Sequence, residues 1–374
     1  MSYSVPIALT SALTPAPSEA LPEATSVAVR EIAQSAIAAN TRRSYTSGLA
    51  YWLAWHAARF GGELTLPVPE AVVIQFLVDH FGRPDNANAQ RRITWELPDA
   101  VDRQLVAQGA KKRLGPLKYT TVLHRLTVLS MAHVRATQPS PLNTAQIQQL
   151  LRDTRRAAHA AGETPRKKLA LTADEIRAMM DACEDDLMGL RDRALLAFGF
   201  ASGGRRRSEI AEAVVENLRR TGPVSYVYAL THSKTRRTSA GSANAKPIIG
   251  DAAVALRAWL EASGATEGPL FRRVRGRTLG GALSGHAVGA IIQRRANAAG
   301  IDGDIAGHSV RSGFATEAGR RGIPLAEAMT LTDHKSAQTF LGYYQAGAVE
   351  SNQAARVLDR PGPSRVPSDT TDDA

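Results

Sequence analysis

Residues 162–175, Gly162-Glu-Thr-Pro-Arg-Lys-Lys-Leu-Ala-Leu-Thr-Ala-Asp-Glu175, decide how the chain is read. The first part combines Gly and Pro with a run of charges, the composition of an exposed linker. The last part, Thr172-Ala-Asp-Glu175, is a capping box, in which the Thr and Glu side chains satisfy each other's free backbone N–H groups ahead of Ile176, Met179 and Met180. A linker that runs directly into a helix start marks a domain boundary, and 374 residues are more than one domain usually holds.

Upstream of the linker, residues 25–161 read as almost entirely helical. Thr41–Phe60 carries Tyr45, Leu49, Trp52, Leu53 and Phe60 at helical spacing and stops at Gly61-Gly62. Pro69 opens a second helix, with Val73, Phe76, Leu77 and His80 or Phe81 on its inner face. Tyr119–Val134 is a third, and Asn143–Ala161 a fourth, with Ile147, Leu150 and Leu151 inside and Arg152, Arg155 and Arg156 outside. Residues 83–116 are polar and basic, including Arg91-Arg92 and Lys111-Lys-Arg113, and no element is assigned to them. Trp52 and Trp55 are expected in the core of this domain.

Downstream, residues 162–169 form the linker and residues 170–358 a second domain. Helices are expected at the capping box and over Asp192–Phe200, Ala252–Glu261, Ser284–Ala299, Val310–Arg320, Leu325–Leu331 and Ser336–Tyr344. One strand pair stands out, Val224–Leu230 with Lys246–Ile249. The expected class is therefore mostly α, with a helical N-terminal domain and a mixed α+β domain built around a small sheet. Residues 1–24 and 359–374, rich in Pro, Ser, Thr and Ala or in Asp and Pro, read as disordered tails.

Charge narrows the function. Lys and Arg number 46 against 35 Asp and Glu, a net of +11. Each tail nets −2, so residues 25–358 carry +15. A basic body of this kind fits a polyanion, most economically nucleic acid. The apolar runs, such as Ala71–Val78, fall far short of the ~20 residues that span a bilayer. The single cysteine, Cys183, excludes an internal disulfide and a multi-cysteine zinc site, and it is expected in the core. No secretory leader is read in the first 25 residues, which points to the cytoplasm and a nucleoid setting. The histidines have no zinc-ligand spacing, and Gly280-Gly281 does not follow a strand as a dinucleotide fingerprint requires. Neither a cofactor nor a metal is expected.

Four clusters in the second domain can carry chemistry: Gly203-Gly-Arg-Arg-Arg-Ser-Glu209, Lys234, Gly307-His-Ser-Val-Arg-Ser-Gly313, and Asp333-His334 followed nine residues later by Tyr343. Each alone has an ordinary structural explanation. Their order, Arg, Lys, His-x-x-Arg, His, Tyr, resembles the signature of the tyrosine recombinases, the phage integrase family. Arg206-x-Ser-Glu-Ile is similar to that family's Arg-x-Ser-Glu-Leu, and Gly307-His-Ser-x-Arg is similar to its second box, in the manner of Cre-like members. The resemblance covers the second domain closely and the first more loosely, as a SAM-like core-binding domain. The chain departs at Gly204-Arg205, where the family has Gly-Leu, so the choice among Arg205, Arg206 and Arg207 rests on Ser208-Glu209. Tyr343 is preferred to Tyr344 by its distance from His334, and Lys234 to Lys246 by its place between the strands.

The resemblance implies a site-specific recombinase that cleaves and rejoins double-stranded DNA through a 3′-phosphotyrosyl intermediate and a Holliday junction. A phenol, with a reference pKa of ~10, attacks phosphorus and stays attached to the cut end. Arg206 and Arg311 clamp the phosphate oxygens as only planar guanidiniums can. His308, three residues before Arg311 and so on the same helix face, serves as acceptor or donor. His334 is a further phosphate donor, Lys234 the acid for the leaving 5′-hydroxyl, and Glu209 the group that orients Arg206. Arg42, Arg43, Arg155, Arg156, Arg166, Lys167 and Lys168 are candidate phosphate contacts. The family works as a homotetramer on two sites, and residues 349–358, with Ala354, Val357 and Leu358, resemble the C-terminal helix that docks into a neighbour. Type IB topoisomerases and telomere resolvases use similar residues, and a catalytically inactive DNA-binding regulator is the remaining alternative.

Overall fold

A computed structural model describes residues 39–81, 83–84, 93–94, 97–160, 168–230, 245–334 and 336–349, with scattered positions between 24 and 32. The chain divides into two compact units, residues 1–166 and 167–374, each described by itself. Lys234, Arg166, Lys167 and the segment 350–374 lie outside the described residues. No helix among the described residues is long and apolar enough to cross a membrane.

The first unit contains helices α1 (Ala39–Phe60), α2 (Glu70–His80), α3 (Asp99–Ala107), α4 (Tyr119–Arg135) and α5 (Ala145–Ala160), with a short antiparallel pair, β1 (Arg83–Pro84) and β2 (Ile93–Thr94). Trp52 and Trp55 are fully buried, and Trp52 stacks on Phe76 with ring centroids 3.8 Å apart. The buried polar groups are satisfied in pairs, as they must be away from water. Trp55 Nε1 donates to Asp79 Oδ2 at 2.9 Å, and the Tyr51 hydroxyl bonds His80 Nε2 at 2.7 Å. The unassigned stretch contains α3 and a turn in which Lys111 is buried, donating to Asp102 and to the Gly115 carbonyl. One charge of that basic run is therefore an internal clasp.

The second unit starts at the capping box, where Thr172 and Glu175 cap α6 (Ala173–Asp181). Helix α7 (Leu187–Ala201) begins five residues before the expected Asp192, because Asp186 caps it by accepting the Gly189 N–H at 2.7 Å. Asp192 is then fully buried, shared by Arg191, Arg294 and Arg295 at 2.6–2.8 Å. After α8 (Arg207–Ala211) come β3 (Leu218–Gly222), β4 (Ser225–Ala229) and β5 (Ala245–Ile249), an antiparallel sheet in the order β3-β4-β5. Helix α9 (Asp251–Ser263) follows, then a hairpin of β6 (Arg272–Arg275) and β7 (Thr278–Ala282). Strand β3 and this hairpin were not expected. Both are too polar and too rich in Gly and Arg to alternate cleanly, and only their partners reveal them. The core wraps α7, with Leu195, Phe198, Tyr228, Ile248, Trp259 and Phe271 buried together. Cys183 lies in it, its thiol pushed up to about 11 by burial.

The last four helices are α10 (Gly285–Ala298), α11 (Ser309–Arg320), α12 (Leu325–Thr332) and α13 (Ala337–Ala348). Helices α11 and α13 touch backbone to backbone. A Cβ on Gly319 would stand 2.0 Å from the Tyr344 carbonyl oxygen, and one on Gly347 1.8 Å from that of Thr316. Gly319→Ala is therefore expected to push α13 off α11 and to cost about 1–3 kcal/mol, read as a lower denaturant midpoint of the full chain.

Candidate active site

Two glycines make the site's first wall. Gly203 and Gly204 have φ of +97° and +67°, a conformation that resists a side chain, and they lie directly on other backbones. A Cβ at 203 would be 2.4 Å from the Leu331 oxygen, and one at 204 would be 2.6 Å from the Arg311 Cα. The three arginines that follow point three ways. Arg205 is 1% exposed and donates to Asp333 Oδ2 at 2.8 Å and to the Leu331 carbonyl at 2.6 Å. Arg206, at the N-cap of α8, keeps a 30% exposed side chain and donates to Glu209 Oε1 at 2.6 Å. Glu209 also accepts the Arg206 backbone N–H at 3.1 Å, so one buried carboxylate fixes both ends of this arginine. Arg207 packs its chain over Gly307, within 3.1 Å of where a Cβ would stand.

Helix α11 brings the second box. Arg311 is 2% exposed, and its guanidinium donates to the Gly204 carbonyl at 3.2 Å and the Thr332 carbonyl at 2.6 Å. It also reaches His334 Nδ1 at 3.3 Å, and the Thr332 hydroxyl bonds the same nitrogen at 2.7 Å. A guanidinium only donates, so Nδ1 of His334 accepts and the neutral ring carries its proton on Nε2. His308, at the N-cap of α11, places Nε2 3.4 Å from the Tyr343 hydroxyl. Tyr344 points elsewhere and donates to the Ile323 carbonyl at 2.6 Å. Arg206, His308, Arg311, His334 and Tyr343 thus converge, with Glu209 behind them.

Burial, with crowded positive charge behind it, sets the protonation states. Burial, then Arg206 and Arg205, pushes Arg311 down to about 10, which still leaves it charged at neutral pH. Burial, then Arg311 and Arg206, lowers the His308 imidazole and brings His334 to about 4. The result is a cup of fixed cations lined by two neutral imidazoles and a phenol, the complement of a phosphodiester that gains charge as it is attacked.

The remaining expected residues are more scattered. Lys246 is 1% exposed, and its ammonium donates to Asp333 Oδ1 at 2.8 Å and the Thr330 carbonyl at 3.0 Å, so it faces the protein interior. Lys168 pairs with Asp304. In the first unit Arg42, Arg43, Arg155 and Arg156 are exposed. Arg43 bonds Asn40, and Arg156 lies 3.6 Å from Asp153. Sequence reasoning missed the roles of Arg205 and Asp333. The signal was the family's leucine position occupied by an arginine, and its counter-ion is the residue just before His334. Among the described residues no three His, Cys, Asp or Glu side chains converge as metal ligands would.

Known proteins give the same direction. The model described as the phage integrase family matches residues 170–350. An integrase/recombinase xerD homolog of Selenomonas ruminantium is 31% identical over 248 residues, 63% of this chain and 71% of that protein. The recombinase Cre of Escherichia phage P1 is 25% identical over 265 residues, 65% of this chain and 75% of its own length. Among solved structures, the Tn1549 transposon integrase in complex with transposon right end DNA is similar in fold, with a TM-score of 0.51 at 13% identity, covering 88% of this chain and 96% of that one.

In the free protein, the His334 ring is expected to titrate near pH 4 and His308 below its ordinary ~6.5 by NMR. The Arg311 and Arg206 charges are among the causes, so a phosphate seated between them cancels part of the effect. Both midpoints should rise when DNA binds.

Proposed function

The chain belongs to the phage integrase family of tyrosine recombinases, enzymes that transfer DNA strands, and from that premise we propose which of its residues perform the reaction. Tyr343 is the nucleophile. Its phenolic oxygen forms the new bond to the scissile phosphorus, and its proton passes to His308 Nε2, 3.4 Å away. The bond from phosphorus to the 5′-oxygen breaks, Lys234 protonates that oxygen, and a 3′-phosphotyrosyl ester conserves the bond for rejoining. Arg206, Arg311 and the Nε2 proton of His334 hold the non-bridging oxygens as charge builds on them. Glu209 keeps Arg206 aimed. Lys234 is assigned by its sequence position between β4 and β5, and the inward-facing ammonium of Lys246 supports choosing it. The observation that carries the reading is Tyr343 paired with His308, one turn ahead of a buried arginine.

Rejoining reverses the step. A 5′-hydroxyl from a second duplex attacks the ester, Tyr343 recovers its proton, and one exchanged strand pair gives a Holliday junction. Two sites then require four protomers. A groove of about 480 Å³ between α6, α7 and α11, lined by Ile176, Met180, Phe200, Phe314 and Ile323, offers apolar surface for a neighbour. Its occupant is residues 349–358 of a second copy, whose Ala354, Val357 and Leu358 suit such a surface. The exposed Arg42, Arg43, Arg155 and Arg156 of the first unit contact phosphates, giving affinity that falls as salt rises.

Covalent trapping tests this. The wild-type chain, incubated with a genomic duplex pool and denatured, should carry covalently linked DNA whose sequencing returns one recurring site. Tyr343→Phe should abolish the adduct and Tyr344→Phe should retain it; the opposite pattern refutes the assignment. Arg206→Ala should slow adduct formation roughly 10²–10³-fold. Removing residues 349–374 should leave single-site binding intact and eliminate paired-site complexes, and full recombination by that truncation would refute the docking.

A further inference from the structure

Helix α12 ends in an unusual way. Its last carbonyls have no partner within the helix, as at any helix terminus. Here three consecutive ones are each taken by a different cation: Thr330 by Lys246 at 3.0 Å, Leu331 by Arg205 at 2.6 Å, and Thr332 by Arg311 at 2.6 Å. The three side chains come from three separate places, strand β5, the Gly-Gly turn and helix α11. All three are at least 98% buried. Asp333 follows in the left-handed region, φ +56°, and turns its carboxylate back onto two of them. Oδ2 accepts from Arg205 and Oδ1 from Lys246, each at 2.8 Å.

Each tethered segment leads to a residue of the reaction. Arg205 is bonded to Arg206 in the chain. Lys246 lies in the strand that closes the segment containing Lys234. Asp333 itself precedes His334, whose ring is anchored to Thr332 and Arg311. We propose that Asp333 is a positioning residue, one carboxylate that holds the Arg206 turn, the strand closing the Lys234 segment and the His334 turn in mutual register. It touches no substrate and acts through these neighbours. The inference rests on the strand-transfer reading above.

Alternative origins for these contacts are weaker. Lys246 has no route to a bound phosphate while its ammonium is turned to Asp333. Arg205 has its Nε buried with no hydrogen-bond partner among the described residues, so its anchoring rests on Nη1 and Nη2. Burial disfavours the Asp333 carboxylate, yet the hydrogen bonds from Lys246 and Arg205 outweigh that and hold its pKa below the usual range. The cluster is thus ionised and tightly set.

The test compares wild type, Asp333→Asn and the double variant Asp333→Asn/Arg205→Leu on the duplex recovered by covalent trapping. Asn tolerates the left-handed backbone, so Asp333→Asn removes the charge with little strain. It should slow covalent adduct formation by about 30-fold or more while the Kd for the same duplex changes less than about 3-fold. It should also melt lower, because buried Lys246 loses its counter-ion and Arg205 is left with only the 3.7 Å contact to Glu209. In the double variant one of those cations is gone, along with its orphaned Nε, and Lys246 can release its proton as a guanidinium cannot. The melting temperature should recover while the adduct rate stays low. Recovery of the rate together with the melting temperature would make the cluster merely structural and overturn the proposal. So would a wild-type adduct rate in folded Asp333→Asn, or a Kd that rises in step with the lost rate. A wild-type protein that forms no adduct at all would instead refute the strand-transfer reading on which the proposal stands.

Discussion

A guanidinium with almost no water around it is the constraint that organises the catalytic unit. Arg311 cannot shed its proton at any ordinary pH, so every N–H it buries needs an acceptor. The acceptors are backbone carbonyls, Gly204 on one side and Thr332 on the other. That requirement draws a glycine turn and a helix end against α11, and it explains why residues 203 and 204 have no room for a Cβ. Once those two backbones are fixed, Arg206 and His334 are fixed with them, since each lies within two residues of an Arg311 acceptor. Tyr343 is carried by α13, which Gly319 and Gly347 let lie on α11 at backbone distance.

Concentrating cations in this way has a cost that the substrate removes. Burial, then Arg206 and Arg205, lowers the proton affinity of Arg311, and burial, then Arg311 and Arg206, lowers that of both imidazoles. Glu209 and Asp333 offset only part of the repulsion, and both face the back of the cup. The site is therefore electropositive, and on the proposed reading a phosphodiester is the anion that offsets it. Attack by a phenol deepens the negative charge on that phosphate, so the same cations bind the transition state more tightly than the ground state. Neutral imidazoles suit this arrangement, since one can accept a proton from Tyr343 and the other can donate from Nε2.

Much of this was legible in the sequence because the reaction needs rare residue types at fixed intervals. His308 and Arg311 share a helix face by their spacing of three, and the interval from His334 to Tyr343 separates the tyrosine that meets His308 from Tyr344, which meets a carbonyl. Helices with apolar stripes were equally readable, α1 and α4 nearly to their ends. What escaped depended on partners far away in the chain. Strand β3, Leu-Arg-Arg-Thr-Gly, has no alternation of its own and exists by pairing with β4. Arg205 looks like one of three surface arginines until Asp333, 128 residues later, is placed beside it. Pairwise contacts of that range leave no periodic trace in a single sequence.

The same long-range pairing changes what the positive surplus means. Charge counting treats each Lys and Arg as a potential grip on phosphate, yet six among the described residues are buried. Lys111 is locked to Asp102, Arg191 and Arg295 share Asp192, and Arg205 and Lys246 share Asp333. These cations are interior struts, and their counter-ions are spent on them too, so they contribute little to the external field. The cations left to the surface lie on both units, among them Arg42, Arg43, Arg155 and Arg156 of the first and Arg177, Arg219 and Arg220 of the second, with Arg206 half-open. Because buried acids offset the interior cations, most of the net surplus stays with the surface. On the proposed reading the surface cations attract the polyanion, and the interior ones hold the backbones that carry Arg206, Arg311 and His334.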